Sequence, residues 1–249
     1  MFIASLFGLN KITLKKLVLL LSLLCCSVIV KAQYNYADWS VGFHVNSVKG
    51  YTDVSQNANT YSASAQLYYN FTPYIPLALD LQVGKLSGGN DITDLYHRYF
   101  TNNFTTLSVH GDLQLGEIVD YQNSFILGAL RGFYLGAGFG LVRNNITSIR
   151  RFDKENPTYR FPGEDQSINT MLSVRMGYEV KIFNELDEPF MAVDLGYIHN
   201  ITFGEGLDGY TDPPTKFKNN APDQFRQITV GVKFFFGNPS SYVKPITAQ

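Results

Sequence analysis

The stretch Gly132-Phe133-Tyr134-Leu135-Gly136-Ala137-Gly138-Phe139-Gly140 alternates, residue by residue, between apolar side chains and positions that are mostly glycine. A period of two puts successive side chains on opposite faces of a β-strand, so the stretch predicts a strand with one apolar face and one nearly bare face. A strand face with few side chains suits a narrow barrel interior in which the side chains of other strands converge.

The same alternation recurs on both sides of this stretch. It runs through Trp39 to Val45, Tyr61 to Phe71, Leu77 to Val83, Leu107 to Leu115, Leu172 to Val180, Met191 to Tyr197 and Ile228 to Phe236. With the stretch above, these segments predict eight strands. Past residue 33 no run approaches the roughly 20 apolar residues of a transmembrane helix, so none is predicted there.

Two architectures accommodate eight such strands: a soluble sandwich or lipocalin-like barrel with its apolar face inward, and a membrane barrel with that face outward. The polar faces carry Gly, Ser, Asn and Gln with few charges, and only 16% of the chain is charged where about 25% is usual. The connections alternate between short turns and long loops, as in outer-membrane barrels. The predicted fold class is therefore all-β, an eight-stranded antiparallel up-and-down transmembrane barrel.

Aromatic residues cluster at the ends of the predicted strands. If both termini lie in the periplasm, these clusters predict two aromatic girdles at the membrane interfaces. The outer rim would contain Tyr61, Phe104, Tyr197, Phe203 and Phe225. The periplasmic girdle would contain Trp39, Tyr69, Phe71, Phe133, Tyr178, Phe190, Phe234 and Phe236.

The chain divides into three predicted parts. Residues 1–32 combine lysines, an apolar run and a Val30-Lys31-Ala32 cleavage site, which is typical of a cleaved signal peptide. Residues 33–237 form the barrel domain, and residues 238–249 form a polar periplasmic tail. The signal holds both cysteines and four lysines without an acid, so the mature chain has no thiol and a net charge of 16 − 21 = −5. That charge lacks the basic footprint of a nucleic-acid-binding protein.

The glycine-rich stretch and the closing segment Val230–Phe236 resemble the small eight-stranded outer-membrane barrels of the OmpA/OmpX type. They resemble more closely the outer-membrane β-barrel proteins common in Bacteroidota. The resemblance covers about residues 33–237. It implies an integral protein of the cell outer membrane, surrounded by membrane lipid and lipopolysaccharide and inserted by the barrel-assembly machinery. Family barrels often end on a terminal aromatic residue, whereas here Gly237 and a polar tail follow Phe236.

A set of charges falls on the polar faces and predicts a lumenal charge network. We expect a plug of ion pairs, because eight strands leave room only for side chains or one small ligand. A gated pore or a proton-sensitive core is the alternative. The network comprises Asp80, Asp112, Arg175, Glu179, Asp194 and Lys233, with His44 and His110 beside it.

Two further groups of residues are candidate sites. Ser108 and His110 lie two apart on one face, but their order and lumenal position differ from the lipid-A deacylase pattern, so we expect no catalytic residue, metal or cofactor. The outer loops are expected to be solvated. The alternative hypotheses are that the basic loop residues bind lipopolysaccharide phosphates and that the acidic ones bind calcium weakly. These residues are Arg143, Arg150, Arg151, Lys154 and Arg160, and separately Glu205, Asp208 and Asp212.

The functional prediction is an integral outer-membrane barrel that is not an enzyme. It would have a structural or surface-interaction role, a side-chain-filled lumen and an unknown protein partner. The alternatives are an accessory subunit of an outer-membrane secretion or uptake complex and a lipid-A-modifying barrel enzyme.

Overall fold

A computed structural model of the chain describes residues 33–54, 56–119, 121, 124–211 and 222–243. The predicted signal peptide, residues 1–32, lies outside the described residues, as do Asp212 and residues 244–249 of the predicted tail. Among the described residues, no helix is both long and apolar enough to cross a membrane.

Eight strands close into one barrel in which each strand pairs antiparallel with its neighbours in sequence, and β8 returns to β1. This confirms the predicted fold class. The strands are β1 (Gln33–Tyr51), β2 (Asn59–Thr72), β3 (Ile75–Gly89), β4 (Tyr99–Gln114), β5 (Phe133–Ile149), β6 (Gln166–Phe183), β7 (Pro189–Phe203) and β8 (Gln224–Val243).

The two ends of the barrel differ in their connections. At the turn end, β2 meets β3 and β6 meets β7 through short turns, and two short helices, α1 (Leu115–Ile118) and α2 (Phe125–Leu130), join β4 to β5. Ser124 caps α2 by accepting a hydrogen bond from Leu127 N at 3.4 Å. At the loop end lie four loops, whose described residues are 52–54 with 56–58, 90–98, 150–165, and 204–211 with 222–223.

Strand β8 continues past the boundary predicted at residue 237. The pairing of β8 with β1 extends to Gln33↔Val243, with a bulge between Ala37 and Trp39. Residues 239–243 are therefore strand residues that pair with residues 33–37, and not an unpaired tail. The strand could not be predicted from this polar sequence. It forms by main-chain pairing with the start of β1, which does not require alternating apolar residues.

The outer wall is apolar and the interior polar. One row across five strands consists of Phe43, Ala65, Leu81, Leu107 and Leu141, joined by direct strand register. The large side chains of this row are about half exposed, whereas the polar residues of alternate positions are buried. This is the reverse of a water-soluble barrel and matches a wall that faces lipid.

The residues predicted for the periplasmic girdle lie on the outer wall at the turn end. Six are exposed: Trp39, Tyr69, Phe71, Phe190, Phe234 and Phe236. Phe133 and Tyr178 are half-buried. The Trp39 and Tyr69 rings meet edge to face with centroids 5.1 Å apart, and the Tyr178 hydroxyl donates to Ala129 O of α2. Aromatic rings with a polar tip suit this interfacial level.

Two residues predicted for the outer rim do not lie there. Phe104 and Phe225 are buried inside the barrel, with ring centroids 5.6 Å apart. Each shares its face with the lumenal residues two positions away, Thr106 and Gln227. The prediction was wrong because it placed these rings by height along the strand, whereas the side of the wall depends on strand parity.

Candidate functional site: the filled lumen and its outer cap

Glycines on the inner face make room for the lumenal side chains. Gly136 pairs with Asp112, and a Cβ on Gly136 would collide with the Asp112 carboxylate. Gly231 pairs with His44 and leaves space for its imidazole ring in the same way. The bare face of the glycine-rich strand is therefore the space that the charges of other strands occupy.

Arg175 and Asp112 form the first lumenal ion pair. Arg175 Nε lies 3.2 Å from Asp112 Oδ1, and both side chains are almost fully buried. On the other carboxylate oxygen, His110 Nδ1 lies 3.4 Å from Asp112 Oδ2. The pair joins β6 to β4 across β5, so it spans the space above the glycines of that strand.

Lys233 and Glu179 form the second pair. Lys233 Nζ lies 3.1 Å from Glu179 Oε2, and Lys181 Nζ lies 3.2 Å from Glu179 Oε1. Gln114 connects the two groups: its amide nitrogen donates to Glu179 at 3.1 Å, and its oxygen accepts from Lys181 at 2.6 Å. Lys233 Nζ also lies 4.1 Å from the centroid of the Tyr68 ring, a cation–π contact.

The other two predicted carboxylates are held differently. Asp194 accepts a hydrogen bond from the Tyr134 hydroxyl at 3.3 Å and lies 3.5 Å from His44 Nε2. Asp80 accepts from Gln66 Nε2 at 3.1 Å. The six predicted residues therefore share the lumen as two ion pairs and two hydrogen-bonded carboxylates, instead of one continuous cluster.

Four partners of these charges were not predicted from the sequence: Lys181, Gln114, Tyr134 and Gln66. Lys181 could have been predicted, because it lies two residues after Glu179 and therefore on the same face of the strand. The two glutamines and the tyrosine also lie on inward positions, but a polar residue at such a position does not reveal which charge it will meet across the lumen.

The space enclosed among several of these side chains is small. One enclosed space, lined among others by Asp80, Ser108, His110 and Arg175, has a volume of about 10 Å³. That volume is at the lower limit for holding one water molecule. Ser108 and His110 are both buried here, away from the lipid-facing wall. Within the described residues, no group of three or more His, Cys, Asp or Glu side chains could hold a metal ion.

An apolar core closes the lumen toward the loop end. It joins inward residues of the strands to residues of three loops. Its members are Val48, Val54, Leu86, Phe100, Phe104, Val142, Phe161, Met171, Leu207, Tyr210 and Phe225. We call this core and the loop contacts that cover it the outer cap.

Loop contacts tie the outer cap together. The Arg98 guanidinium lies 5.1 Å from the Tyr210 ring centroid and donates to Asp53 O at 2.9 Å. The Tyr210 hydroxyl lies within hydrogen-bond distance of Tyr99 O and Arg150 O. Arg98, Tyr210 and Asp53 come from different loops, so each contact fixes one loop against another.

The buried carboxyl groups of the outer cap include Asp208 and Asp223. Asp208 accepts backbone hydrogen bonds from Tyr210 N and Asp53 N, and Asp223 accepts from Gly206 N and Leu207 N. Burial raises the pKa of Asp208 to about 7. Burial, together with the nearby Asp208 carboxylate, raises the pKa of Asp223 to about 8. Removal from water disfavours the charged form of each group.

The expectation of solvated loops is therefore corrected for several residues. Asp208 is buried, not exposed. Arg151 pairs with Asp165 at 2.5 Å, and Arg150 and Lys154 both reach Asp91. Arg143 lies on β5 and not in a loop, with its side chain on the outer wall. Loop residues fold back onto the barrel here because burial of apolar residues such as Phe161 and Leu207 stabilises that arrangement.

The turn end is filled by aromatic residues. Tyr74, Tyr121 and Tyr242 are buried together, and Tyr74 lies 5.9 Å from each of the other two rings. Tyr242 belongs to the part of β8 beyond residue 237, so the extended strand contributes directly to this closure.

The fold is similar to that of solved structures of bacterial surface proteins. Neisserial surface protein A is similar over 83% of this chain and 100% of its own, with 14% identity and a TM-score of 0.50. Ail, the attachment invasion locus protein of Yersinia pestis, matches 81% of this chain and 99% of its own, with 9% identity and a TM-score of 0.43. No family model matches the chain, and no curated protein matches it.

At such identities the likeness shows the fold alone, that of a small outer-membrane barrel. The chemistry of the wall agrees: apolar side chains face outward around a polar, filled interior. Closed barrels and helices are the structures that satisfy all backbone polar groups in lipid. The fold and the chemistry of the wall are those of an integral outer-membrane barrel.

Proposed function

We propose that this barrel has a structural or surface-interaction role and does not conduct solutes. The observation that carries the proposal is closure at three levels. The outer cap closes the loop end, the two ion pairs fill the middle, and the buried tyrosines fill the turn end. A lumen filled in this way leaves the loops and the outer wall as the surfaces available to partners.

Orientation follows from the two ends. Short turns face the periplasm and long loops face outside in outer-membrane barrels, so we place the loop end at the cell surface. The proposal includes export by the predicted signal peptide at residues 1–32 and insertion by the barrel-assembly machinery. The closer resemblance to Bacteroidota barrels also stays a prediction.

Planar-bilayer recording tests the sealed lumen. We expect the refolded protein to show no steady open state, while a porin refolded in the same lipid shows regular steps and so serves as the control. Boiled and unboiled samples should migrate differently in SDS gels, which checks that the barrel is closed. A large and stable conductance from samples that pass this check would contradict the proposal.

The two alternatives have their own tests. Cross-linking and co-purification from native membranes would reveal a stoichiometric partner if the chain were an accessory subunit of a secretion or uptake complex. The lipid-A-modifying alternative is disfavoured because Ser108 and His110 are buried in the lumen. Expression that changes the mass of lipid A, and fails to do so with Ser108→Ala, would revive it.

A further inference from the structure

A groove crosses the outer wall of β1 to β5 near the loop end. Its volume is about 720 Å³. One lining residue from each strand forms the floor, and direct register joins them as Val45, Ala63, Val83, Thr105 and Arg143. Ala63 makes the floor low between two valines, and Tyr61 rises at the edge with 74% of its surface exposed. The floor is therefore concave and mostly apolar.

The edge of the groove toward the loops is polar and cationic. The next outward positions are Lys85, Asn103 and Asn145, again joined by register. In the described part of the chain, Lys85 and Arg143 make no ion pair, and no carboxylate is among the residues that line the groove. Two cations on β3 and β5 thus lie at the level where the apolar wall ends.

Asn103 adds a further polar group at this edge. Its side-chain oxygen is buried and has no hydrogen-bond partner among the described residues. A buried acceptor without a donor is costly unless a ligand supplies one. A hydroxyl or amide N–H group of a bound molecule would satisfy it, whereas a bare phosphate dianion would not.

The charges on the whole outer wall also favour an anionic ligand near the loop end. Of the carboxylates in the described strands, all but Asp38 face the lumen. The outward positions near the loop end carry cations, and Lys49 on β1 lies directly opposite Arg226 on β8. Like charges directly opposite each other destabilise a sheet. A layer of anions around the wall at this height would offset that repulsion.

We propose that the groove binds a phosphorylated glycolipid of the outer leaflet, of the lipid A type. Its acyl chains lie along the floor over Ala63 and Val83, its phosphate contacts Lys85 and Arg143, and a sugar hydroxyl or amide donates to Asn103. The proposal rests on the orientation given above, which puts the groove at the headgroup level of the outer leaflet. Charge-assisted contacts to phosphate supply the affinity.

The test counts lipids bound to the intact, delipidated protein in detergent by native mass spectrometry, with bisphosphorylated lipid A as the probe. We expect the wild type to bind it, and the Lys85→Ala/Arg143→Ala variant to bind about 100-fold more weakly, roughly tenfold for each lost cation. The matched control is Lys154→Ala/Arg160→Ala, which removes the same charge from the loops and should change binding by less than about twofold. Equal effects of the two variants would overturn the proposal.

Further probes separate the parts of the ligand. Lipid A without phosphates should bind the wild type as weakly as bisphosphorylated lipid A binds the groove variant, and inorganic phosphate should not bind measurably. Ala63→Trp, which fills the floor with a residue that a lipid-facing wall tolerates, should weaken binding without changing gel migration. Phosphatidic acid binding as tightly as lipid A would overturn the glycolipid assignment. Loss of lipid binding would leave the sealed lumen untouched, since bilayer recordings test that separately.

Discussion

The middle of the lumen and the outer cap close the same channel with opposite chemistry. In the middle, charged side chains from strands pair with one another, as Arg175 does with Asp112. In the outer cap, apolar side chains from strands and loops pack together, and the buried carboxylates of Asp208 and Asp223 are held by backbone N–H groups. Strand positions are set by hydrogen-bond register, which holds an ion pair in good geometry, whereas loops must be held by packing.

The two regions should respond to different perturbations. Removing one lumenal charge leaves its partner buried and unpaired, a large cost. Loss of any single charge should destabilise the outer cap less. The stability of the cap should depend more on pH, because burial favours the neutral form of its carboxyl groups.

The largest effect is expected from Arg175→Ala. Loss of the guanidinium leaves the buried Asp112 carboxylate without its cation, so the free energy of unfolding should fall by about 3–5 kcal/mol. Urea titration of the barrel reconstituted in lipid vesicles measures it. Arg160→Ala, at an exposed loop position, is the control and should change stability by less than about 0.5 kcal/mol. Equal losses would mean that the lumenal pair is not a buried pair.

A charge on the other side of the wall should cost less. Leu135 is 54% exposed on the outer face of β5, next to the inward-facing Gly136. Leu135→Arg should lower the free energy of unfolding by about 1–2 kcal/mol, because the guanidinium enters lipid between the interfacial level of Phe133 and the midplane of the membrane. The same titration applies, with Asn156→Arg in an exposed loop as the near-neutral control. A neutral Leu135→Arg would mean that the faces of the wall are assigned wrongly.

A smaller effect is expected in the outer cap. Tyr210→Phe removes the hydroxyl that lies within hydrogen-bond distance of Tyr99 O and Arg150 O but keeps the ring against Arg98. We expect a loss of about 1 kcal/mol, seen as faster amide hydrogen exchange in the loops. Exchange in β5 and β6 should not change. Slowed exchange in the loops, or an equal rise in the strands, would contradict the separation of the two regions.

The smallest effect on the whole barrel should come from pH. The folded-state pKa values of Asp208 and Asp223 lie above their ordinary value, so the folded cap binds more protons than the unfolded chain. The stability they contribute is full below about pH 4 and is lost as the pH rises toward about 8. Hydrogen exchange at Leu207 and Tyr210, corrected for the intrinsic pH dependence, should therefore rise over this range.

Asp208→Asn with Asp223→Asn is the variant that checks the cause of this pH dependence. Neither amide titrates, so the corrected exchange of the cap should become flat with pH, while the strands behave as in the wild type. A slope that persists in the double variant would assign the pH dependence to other groups.

Much of this protein can be predicted from the period of its sequence. Strict alternation determined the eight strands and the side of the wall on which most residues lie, because side chains of a strand point alternately to its two faces. The same rule predicts that the lumen contains Arg175, Asp112, Glu179 and Lys233. The glycines of residues 132–140 marked the strand that leaves room for them.

Only the tertiary structure decided which residues meet. The pairing of Glu179 with Lys233, the contact between the Phe104 and Phe225 rings, and the strand pairing of residues 239–243 all depend on register and closure between segments far apart in sequence. The outer cap depends on loops that have no repeating pattern, so nothing local foretells that Asp208 is buried beneath them. Periodicity reports the face of one strand, whereas a contact across a lumen is set by the closed barrel as a whole.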